Sequence, residues 1–165
     1  YTLWHTLSLH DALPIYSFHA RYDARLRTYE YRLAFGPYAY PHRRRYVWLL
    51  RTRPDSAVLN KMAAVIVGTH DFATFASPSD SVKTTVRTVT AASFFPRGDE
   101  LVFRISAGGF LWRMVRSLVG TMIGLEKNGD DWQDMRRRLD ARDRMEAGVT
   151  APGYGLFLTR VDYDT

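Results

Sequence analysis

Residues 18–31 read FHARYDARLRTYEY and interleave arginines with aromatic side chains. The arginines are Arg21, Arg25 and Arg27, and the aromatic residues are Phe18, Tyr22, Tyr29 and Tyr31. Bases stack on aromatic faces and guanidinium groups pair with phosphates, so this mixture suits an RNA strand. A strand edge with solvated charges would have the same composition, and both interpretations stay open. The second half of the stretch enters an alternating, β-rich segment, residues 28–35, which predicts a strand.

The remaining sequence alternates between strand and helix patterns. The predicted strands after residue 35 are an apolar strand over 46–51, a hairpin of strands 85–95 and 100–107, and a strand over 156–163. Three helices are predicted: one that starts at residues 54–56 and ends at Gly68, a long one over 110–127 stopped by Gly129, and a short basic one over 131–141. The apolar face of the first helix consists of Leu59, Met62, Ala63 and Ile66. The order lacks a strict βαβ rhythm. It therefore predicts an α+β fold, with a mainly antiparallel sheet and helices packed on one face.

Two segments between these elements are predicted to lie at the surface. Residues 71–75 and the polar loop 77–85, which contains Lys83, have the composition of an exposed, mobile stretch. Such a loop is compatible with RNA contact and equally with an ordinary connection.

The long helix carries a second line of residues beside its apolar stripe. Arg116, Gly120 and Gly124 fall at i, i+4 and i+8. Each interior glycine costs about 1 kcal/mol relative to alanine, a cost that close backbone approach or room for a ligand would justify. An enclosed Arg116 requires a carboxylate or phosphate partner. The alternative is a surface arginine whose aliphatic stem alone is buried.

Composition excludes several classes of protein. The chain has 165 residues, enough for one domain with a sizeable core, and 46% of them are hydrophobic. It has no cysteine, which excludes zinc ribbons, disulfides and thiol chemistry. No apolar run approaches the roughly 18 residues of a membrane-spanning helix, so no membrane partner is expected. With His19 lacking a second histidine nearby in residues 18–165, no metal site is predicted either.

The charge is unevenly distributed. Residues 18–165 contain all 23 basic and 16 of the 17 acidic residues, a net charge of +7. Twenty of the basic residues are arginine, a ratio that a GC-rich genome also produces. The cluster of Arg43, Arg44 and Arg45 is less easily explained by codon usage. The balance favours a polyanionic partner.

Residues 1–17 are set apart from the rest. They show neither strand nor helix periodicity, and their core, HTLSLHDALPI, resembles the translation of a sequencing-adapter oligonucleotide. The alternative is a genuine amphipathic segment. We expect an artefactual or disordered segment over 1–17 and a single α+β domain over 18–165, and we exclude the first from functional argument.

Several motifs in order resemble one family. They are FHARYDA from residue 18, the R-x-Y of Arg27 to Tyr29, HDFATFAS at 70–77, VRTV at 86–89, FLWRMVRSLVG at 110–120 and GLFLTRVDY at 155–163. Together they resemble the C-terminal half of TruA-type tRNA pseudouridine synthases over nearly all of residues 18–164. The resemblance implies a cytoplasmic, homodimeric isomerase that binds tRNA and needs no cofactor. It would convert uridine to pseudouridine at positions 38–40 of the anticodon stem-loop.

The resemblance also implies roles for individual residues. Tyr29 matches a tyrosine that stacks on the target uridine and assists proton transfer, and Arg116 matches an arginine that pairs with the catalytic aspartate. RNA contacts are implied for two segments, whose residues are Phe18, His19, Ala20, Arg21, Tyr22 and Arg27 in the first and Ser79, Asp80, Ser81, Val82 and Lys83 in the second.

The chain departs from the family pattern at one place. The family's nucleophilic aspartate lies in a G-R-T-D-A-G-V-like motif, and no such motif occurs in the 165 residues. Asp23 stands in a different context and does not match it. We therefore expect a C-terminal half that is inactive alone. The alternatives are a non-catalytic RNA-binding module and a basic protein–protein interaction domain.

Overall fold

The computed structural model describes residues 18–37, 41–77 and 82–163. These contain six strands and three α-helices. The strands are β1 (Ala24–Phe35), β2 (Trp48–Leu50), β3 (Gly68–Asp71), β4 (Val86–Arg97), β5 (Glu100–Ala107) and β6 (Leu156–Tyr163), and the helices are α1 (Ser56–Val65), α2 (Met114–Asn128) and α3 (Trp132–Ala141). Single turns of 3₁₀ helix lie at Ala73–Phe75, Arg144–Glu146 and Gly153–Gly155.

All six strands join one sheet in the order β2-β1-β5-β4-β3, with β6 also paired to β1. Every pairing is antiparallel except β1 with β2. Tyr29 in the middle of β1 lies opposite Ile105 of β5 and Leu158 of β6, and a bulge separates the pairing of Thr28 from that of Tyr29 on the β6 side. The predicted α+β class with a mainly antiparallel sheet is confirmed.

The core lies between one face of this sheet and the helices. Tyr31 and Leu33 of β1 and Phe103 and Ile105 of β5 are fully buried there. The predicted apolar face of the first helix is confirmed, since all four of its residues are fully buried: Leu59, Met62, Ala63 and Ile66. Alternate residues of β1 therefore point into the core, and those between them point to the opposite face.

Local capping explains where the helices begin and end. The Asp55 side chain accepts hydrogen bonds from the backbone N–H groups of α1, the nearest at 2.7 Å from Ala57. Asp131 and Asp134 form a reciprocal capping box at the start of α3. Gly129 ends α2 with a φ of 82°, a left-handed conformation that favours glycine.

Three expectations about local structure were wrong. Helix α2 begins at Met114 and not near Phe110, because Arg113 takes a left-handed conformation with φ 62°. The strand predicted over 46–51 is confined to Trp48–Leu50. Residues 71–75 are not an exposed stretch: Phe72 and Phe75 are fully buried, because their rings pack into the core beside α2 and α3.

No helix in the described ranges is long and apolar enough to cross a membrane.

Candidate active-site cleft

Tyr29 occupies a fixed position on the helix-facing side of the sheet. Strand β1 pairs on both edges at this residue, so its backbone is held from two sides. The half-buried ring lies edge-on against Phe110, with ring centroids 5.1 Å apart. Such an arrangement holds the tyrosine ring in one orientation.

A cavity of about 380 Å³ opens beside Tyr29, and we call it the Tyr29 cleft. It is lined by Arg21, Tyr29, Val82, Arg87, Phe110, Leu111, Trp112, Arg113, Met114, Val115 and Leu156. These described lining residues combine apolar and aromatic side chains with three guanidinium groups, and none of them is a carboxylate. An apolar wall with positive charges at its rim is the chemistry that recognises a nucleotide, through its base and its phosphate.

The three arginines of the cleft have no acidic partner among the residues that the structure describes. Within the described ranges, Arg21, Arg87 and Arg113 form no ion pair. One terminal nitrogen of Arg87 donates to the backbone carbonyls of Thr84 and Val86, at 2.9 and 2.6 Å. The cleft is therefore a place of uncompensated positive charge, and a phosphate would be attracted to it.

Arg116 lies on the side of α2 that faces residues 148–153 and does not line the cleft. Its Nε donates to the Ala151 carbonyl at 2.7 Å, and the Ala151 N–H donates back to the Arg116 carbonyl at 3.1 Å. No carboxylate of the described residues forms an ion pair with it. With Nε committed to a carbonyl, the Nη1 and Nη2 edge of the guanidinium is the one offered to a carboxylate.

Gly120 allows the segment that holds Arg116 to approach. A Cβ built at Gly120 would overlap the Val149 carbonyl oxygen and lie 2.9 Å from the Ala151 nitrogen. The Gly148 N–H donates to the Thr121 hydroxyl at 2.9 Å, which attaches the segment one residue further along α2. The expectation that a glycine of this line permits backbone approach is confirmed at Gly120. At Gly124 a Cβ would meet nothing within 4 Å, so no backbone approaches this glycine, and the alternative of room for a ligand stays a prediction there.

Tyr31 attaches the same segment to the sheet. Its fully buried ring lies on the same face of β1 as Tyr29, and its hydroxyl donates to the Pro152 carbonyl at 2.7 Å. Burial, opposed in part by the nearby positive charge of Arg116, raises the pKa of this phenol. The hydroxyl therefore stays protonated and acts as a hydrogen-bond donor.

The first predicted RNA-binding segment forms a turn beside the cleft. His19 Nδ1 accepts from the backbone N–H groups of Arg21 and Tyr22, at 3.1 and 3.2 Å. The rings of His19 and Tyr22 lie 4.3 Å apart, and Tyr22 is exposed. Of this segment, Arg21 lines the cleft.

Three other residues of this segment make internal contacts. Arg27 donates to the backbone carbonyls of Ala24, Gly108 and Arg21, so its guanidinium holds the turn to the sheet. The Ala20 carbonyl accepts from the Tyr163 hydroxyl at 3.0 Å, and the Phe18 ring packs on the Tyr163 ring. RNA contact by these residues stays a prediction.

The second predicted RNA-binding segment is only partly described. Ser79, Asp80 and Ser81 lie outside the described residues. Val82 lines the cleft, and Lys83 is exposed next to it. The described part of the chain has no group of three His, Cys, Asp or Glu side chains that could hold a metal ion.

Sequence reasoning missed Arg87, Phe110, Trp112 and Arg113 as residues of the cleft. The sequence predicts residues 110–113 as part of the long helix, where Phe110 fits the apolar stripe. The adjacent Trp112 and Arg113 had the same arginine–aromatic character as residues 18–31 and could have been noticed for it. Nothing in the sequence placed Arg87 near them.

Comparison with known proteins agrees with the motifs. A family model described as tRNA pseudouridine synthase matches residues 62–164. The chain is 40% identical over 145 residues to tRNA pseudouridine synthase A of Treponema denticola, covering 88% of this chain and 54% of that protein. It is 38% identical over 143 residues to the protein of that name from Halalkalibacterium halodurans, covering 87% and 54%. For Borrelia garinii subsp. bavariensis the identity is 35% over 148 residues, covering 90% and 60%.

The chain thus spans somewhat more than half the length of these relatives. The family model extends over most of the chain. It includes β3 to β6, the last turn of α1, all of α2 with Arg116, and α3, and it contains the cleft lining except Arg21 and Tyr29. The chain belongs to the tRNA pseudouridine synthase family.

Proposed function

We propose that this chain is the tRNA-binding part of a synthase that converts uridine to pseudouridine at positions 38–40 of the anticodon stem-loop. One observation carries the proposal: Tyr29 stands in a cleft with aromatic walls and three arginines, and none of the described residues that line it is a carboxylate. That lining suits an unpaired nucleotide, whose base stacks and whose phosphate pairs with guanidinium. The relatives named tRNA pseudouridine synthase A support tRNA as the partner.

The reaction is an isomerisation and needs no oxidant or reductant. The bond between uracil N1 and ribose C1′ breaks, a bond between uracil C5 and C1′ forms, and the proton on C5 leaves while N1 gains one. The Tyr29 ring would support the base, and its hydroxyl would move the C5 proton. General acid–base help of this kind is typically worth 10²- to 10⁴-fold in rate, to an order of magnitude.

Arg116 has a separate role in this proposal. Its Nη1 and Nη2 atoms would bind the catalytic aspartate, which comes from a G-R-T-D-A-G-V-like motif that the 165 residues do not contain. The hydrogen bond from Nε to the Ala151 carbonyl supports this role, because it orients the guanidinium before the aspartate arrives. We propose that the chain alone binds tRNA and produces no pseudouridine. No cofactor is required for this chemistry.

Homodimerisation and a cytoplasmic location are proposed from the family resemblance alone. Light scattering after size exclusion, on the chain with and without the missing half, checks the first: a monomer in both samples would contradict it.

The test of function combines binding and turnover. The purified chain is titrated into fluorescein-labelled anticodon stem-loop RNA, and tRNA incubated with it is digested to nucleosides and analysed by mass spectrometry. We expect salt-sensitive binding and no pseudouridine. A separately expressed N-terminal half that contains the G-R-T-D-A-G-V-like motif is then added, and pseudouridine should form.

Three results would decide against parts of the proposal. Pseudouridine from the chain alone overturns its inactivity. Binding without turnover, even with the N-terminal half present, favours a non-catalytic RNA-binding module. Absence of RNA binding leaves the basic protein–protein interaction domain.

A further inference from the structure

Arg113 stands out among the arginines of the Tyr29 cleft because of its backbone. It occupies the position before the first turn of α2 with φ 62° and ψ 4°, in the left-handed region. That region favours glycine or asparagine, and for an arginine it is strained. The Arg113 side chain makes no capping hydrogen bond to α2, so helix capping does not explain why an arginine occupies this position.

The side chain of Arg113 is directed by its neighbour. Its guanidinium carbon lies 5.1 Å from the centroid of the Trp112 ring, whose side chain is 53% exposed. Stacking on an indole face orients the guanidinium plane and consumes none of its five N–H donors. Within the described ranges no carboxylate pairs with it, so these donors face the cleft without an acidic partner.

We propose that Arg113, supported by the Trp112 ring, is the phosphate anchor that sets the position of the bound nucleotide relative to Tyr29. The inference rests on the proposed function and extends it by naming the group that binds the RNA backbone. Arg21 is on an exposed turn, and Arg87 spends one terminal nitrogen on two carbonyls. Arg21 also has an aromatic support, since its guanidinium carbon lies 5.9 Å from the centroid of the Tyr22 ring, but that ring is 76% exposed. Arg113 differs from Arg21 in its place directly before α2, whose first residues, Met114 and Val115, line the cleft with it, and from Arg87 in having a full set of unpaired donors within the described residues.

The chain offers a matched control for the experiment. Arg142 is the other non-glycine residue with positive φ in the described ranges, at 55°, and it is exposed, with an ion pair to Asp71 at 3.5 Å. Arg113→Asn and Arg142→Asn therefore remove the same charge from the same kind of backbone at two places. Asparagine tolerates the left-handed conformation, so both variants should fold.

The binding measurement uses the 165-residue chain and a fluorescein-labelled 17-nucleotide anticodon stem-loop, titrated at several salt concentrations. We expect Arg113→Asn to weaken binding about tenfold, the loss of one charge-assisted hydrogen bond. The slope of log K against log salt should fall in magnitude by about 0.7, one phosphate of a single strand. Arg142→Asn should change the affinity less than about twofold. Trp112→Ala and Arg113→Lys should each produce an intermediate loss, because the charge is kept without the oriented planar fork.

The outcomes separate this inference from the proposed function. Equal losses in Arg113→Asn and Arg142→Asn, or no loss in the first, overturn the anchor while RNA binding by the parent chain stands. If the parent chain does not bind the stem-loop, both ideas fail. Unfolding curves of the variants confirm that each comparison is made between folded proteins.

Discussion

The two faces of the sheet use arginine in opposite ways. On the helix-facing side, the Tyr29 cleft has three arginines and no carboxylate among the lining residues that the structure describes. On the other side, a cavity of about 480 Å³ is lined by Arg104 and Arg160 together with the carboxylates of Glu30 and Asp162. Its charges are balanced. The net charge of the chain therefore indicates a polyanionic partner but does not show where that partner binds. The binding face is indicated by which arginines lack a carboxylate partner among the described residues.

Glu30 is the centre of the balanced face. Its Oε1 accepts from Arg97 at 2.8 Å and from two nitrogens of Arg104 at 3.0 and 2.7 Å, although only 4% of the residue is exposed. The Phe95 ring supports both guanidinium groups, at 5.4 and 4.7 Å. Hydrogen bonding to Arg97, followed by that to Arg104 and opposed by burial, lowers the pKa of Glu30.

The strongest test of the comparison concerns chemistry on the cleft side. In an enzyme restored with the aspartate-bearing half, Tyr29→Phe should lower single-turnover rates by about 10²- to 10⁴-fold, because the hydroxyl is lost while the ring still stacks. RNA affinity should change little. Tyr31→Phe is the control on the same strand face: it loses the bond to Pro152 and should lower the free energy of unfolding by about 1 kcal/mol. A parental rate in Tyr29→Phe would reduce that residue to a stacking platform.

Gly120→Ala should damage the cleft side without touching the balanced face. The added methyl group would overlap the Val149 carbonyl, so the segment that holds Arg116 must move. We expect a loss of about 2–4 kcal/mol in the free energy of unfolding, as for severe overpacking. Gly124→Ala in the same helix meets nothing within 4 Å and should stabilise by about 0.5–1 kcal/mol. Denaturant unfolding measures both, and equal effects would refute the role assigned to Gly120.

Glu30→Gln should weaken the balanced face and leave RNA binding unchanged. Because the two arginines are 41% and 49% exposed, solvent screening limits the expected loss to about 1–2 kcal/mol at neutral pH. A carboxylate with a lowered pKa stabilises the folded state above its unfolded pKa, and this stabilisation is lost as the pH falls through the lowered folded value. The difference between parent and variant should therefore shrink below about pH 4. A difference that is constant with pH would show that the charge of Glu30 does not contribute.

The smallest expected effects compare one arginine from each face. Arg21→Gln should weaken stem-loop binding about threefold and leave stability unchanged within about 0.5 kcal/mol. Arg104→Gln should do the reverse and lower the free energy of unfolding by less than about 1 kcal/mol. Binding and unfolding are measured on both variants, and each variant should change only one of the two properties. If Arg104→Gln weakens RNA binding as much as Arg21→Gln, the two faces do not differ in function.

Local patterns predicted three helices and five of the six strands of the described residues, and they missed β3. The bounds of β5 and β6 were predicted to the residue, because alternation and the turn at Gly98 and Asp99 act over a few residues. The start of α2 was not, because periodicity cannot distinguish an apolar residue that packs inside a helix from Phe110, which packs on Tyr29 just before it. Burial of residues 71–75 depends on α3, more than fifty residues later, and no local pattern records that contact.

Only the family resemblance names residues of the candidate site from the sequence, and the roles it implies stay predictions. Tyr29 and Arg116 were identified from motifs, and the structure adds the Tyr31, Pro152 and Ala151 contacts that hold the segment beside Arg116. Arg87 is the second residue of β4 and Arg113 directly precedes α2, so the tertiary fold, and no local pattern, brings them to one cleft. The cleft is formed by segments that are distant in the sequence, so local sequence patterns do not predict it.

The ion pairs of Glu30 help to fix the register of β1, and through it the position of Tyr29. The two residues are consecutive on β1, so they face opposite sides of the sheet, and a slip of one residue would exchange them. Such a slip would place a carboxylate beside the cleft and turn the tyrosine toward Arg97 and Arg104. Because those arginines hold Glu30 on its own side, and the bulge after Thr28 fixes the β6 pairing, the slip is opposed from both strand edges. An ion-pair cluster on the far face of the sheet thus keeps Tyr29 in the cleft.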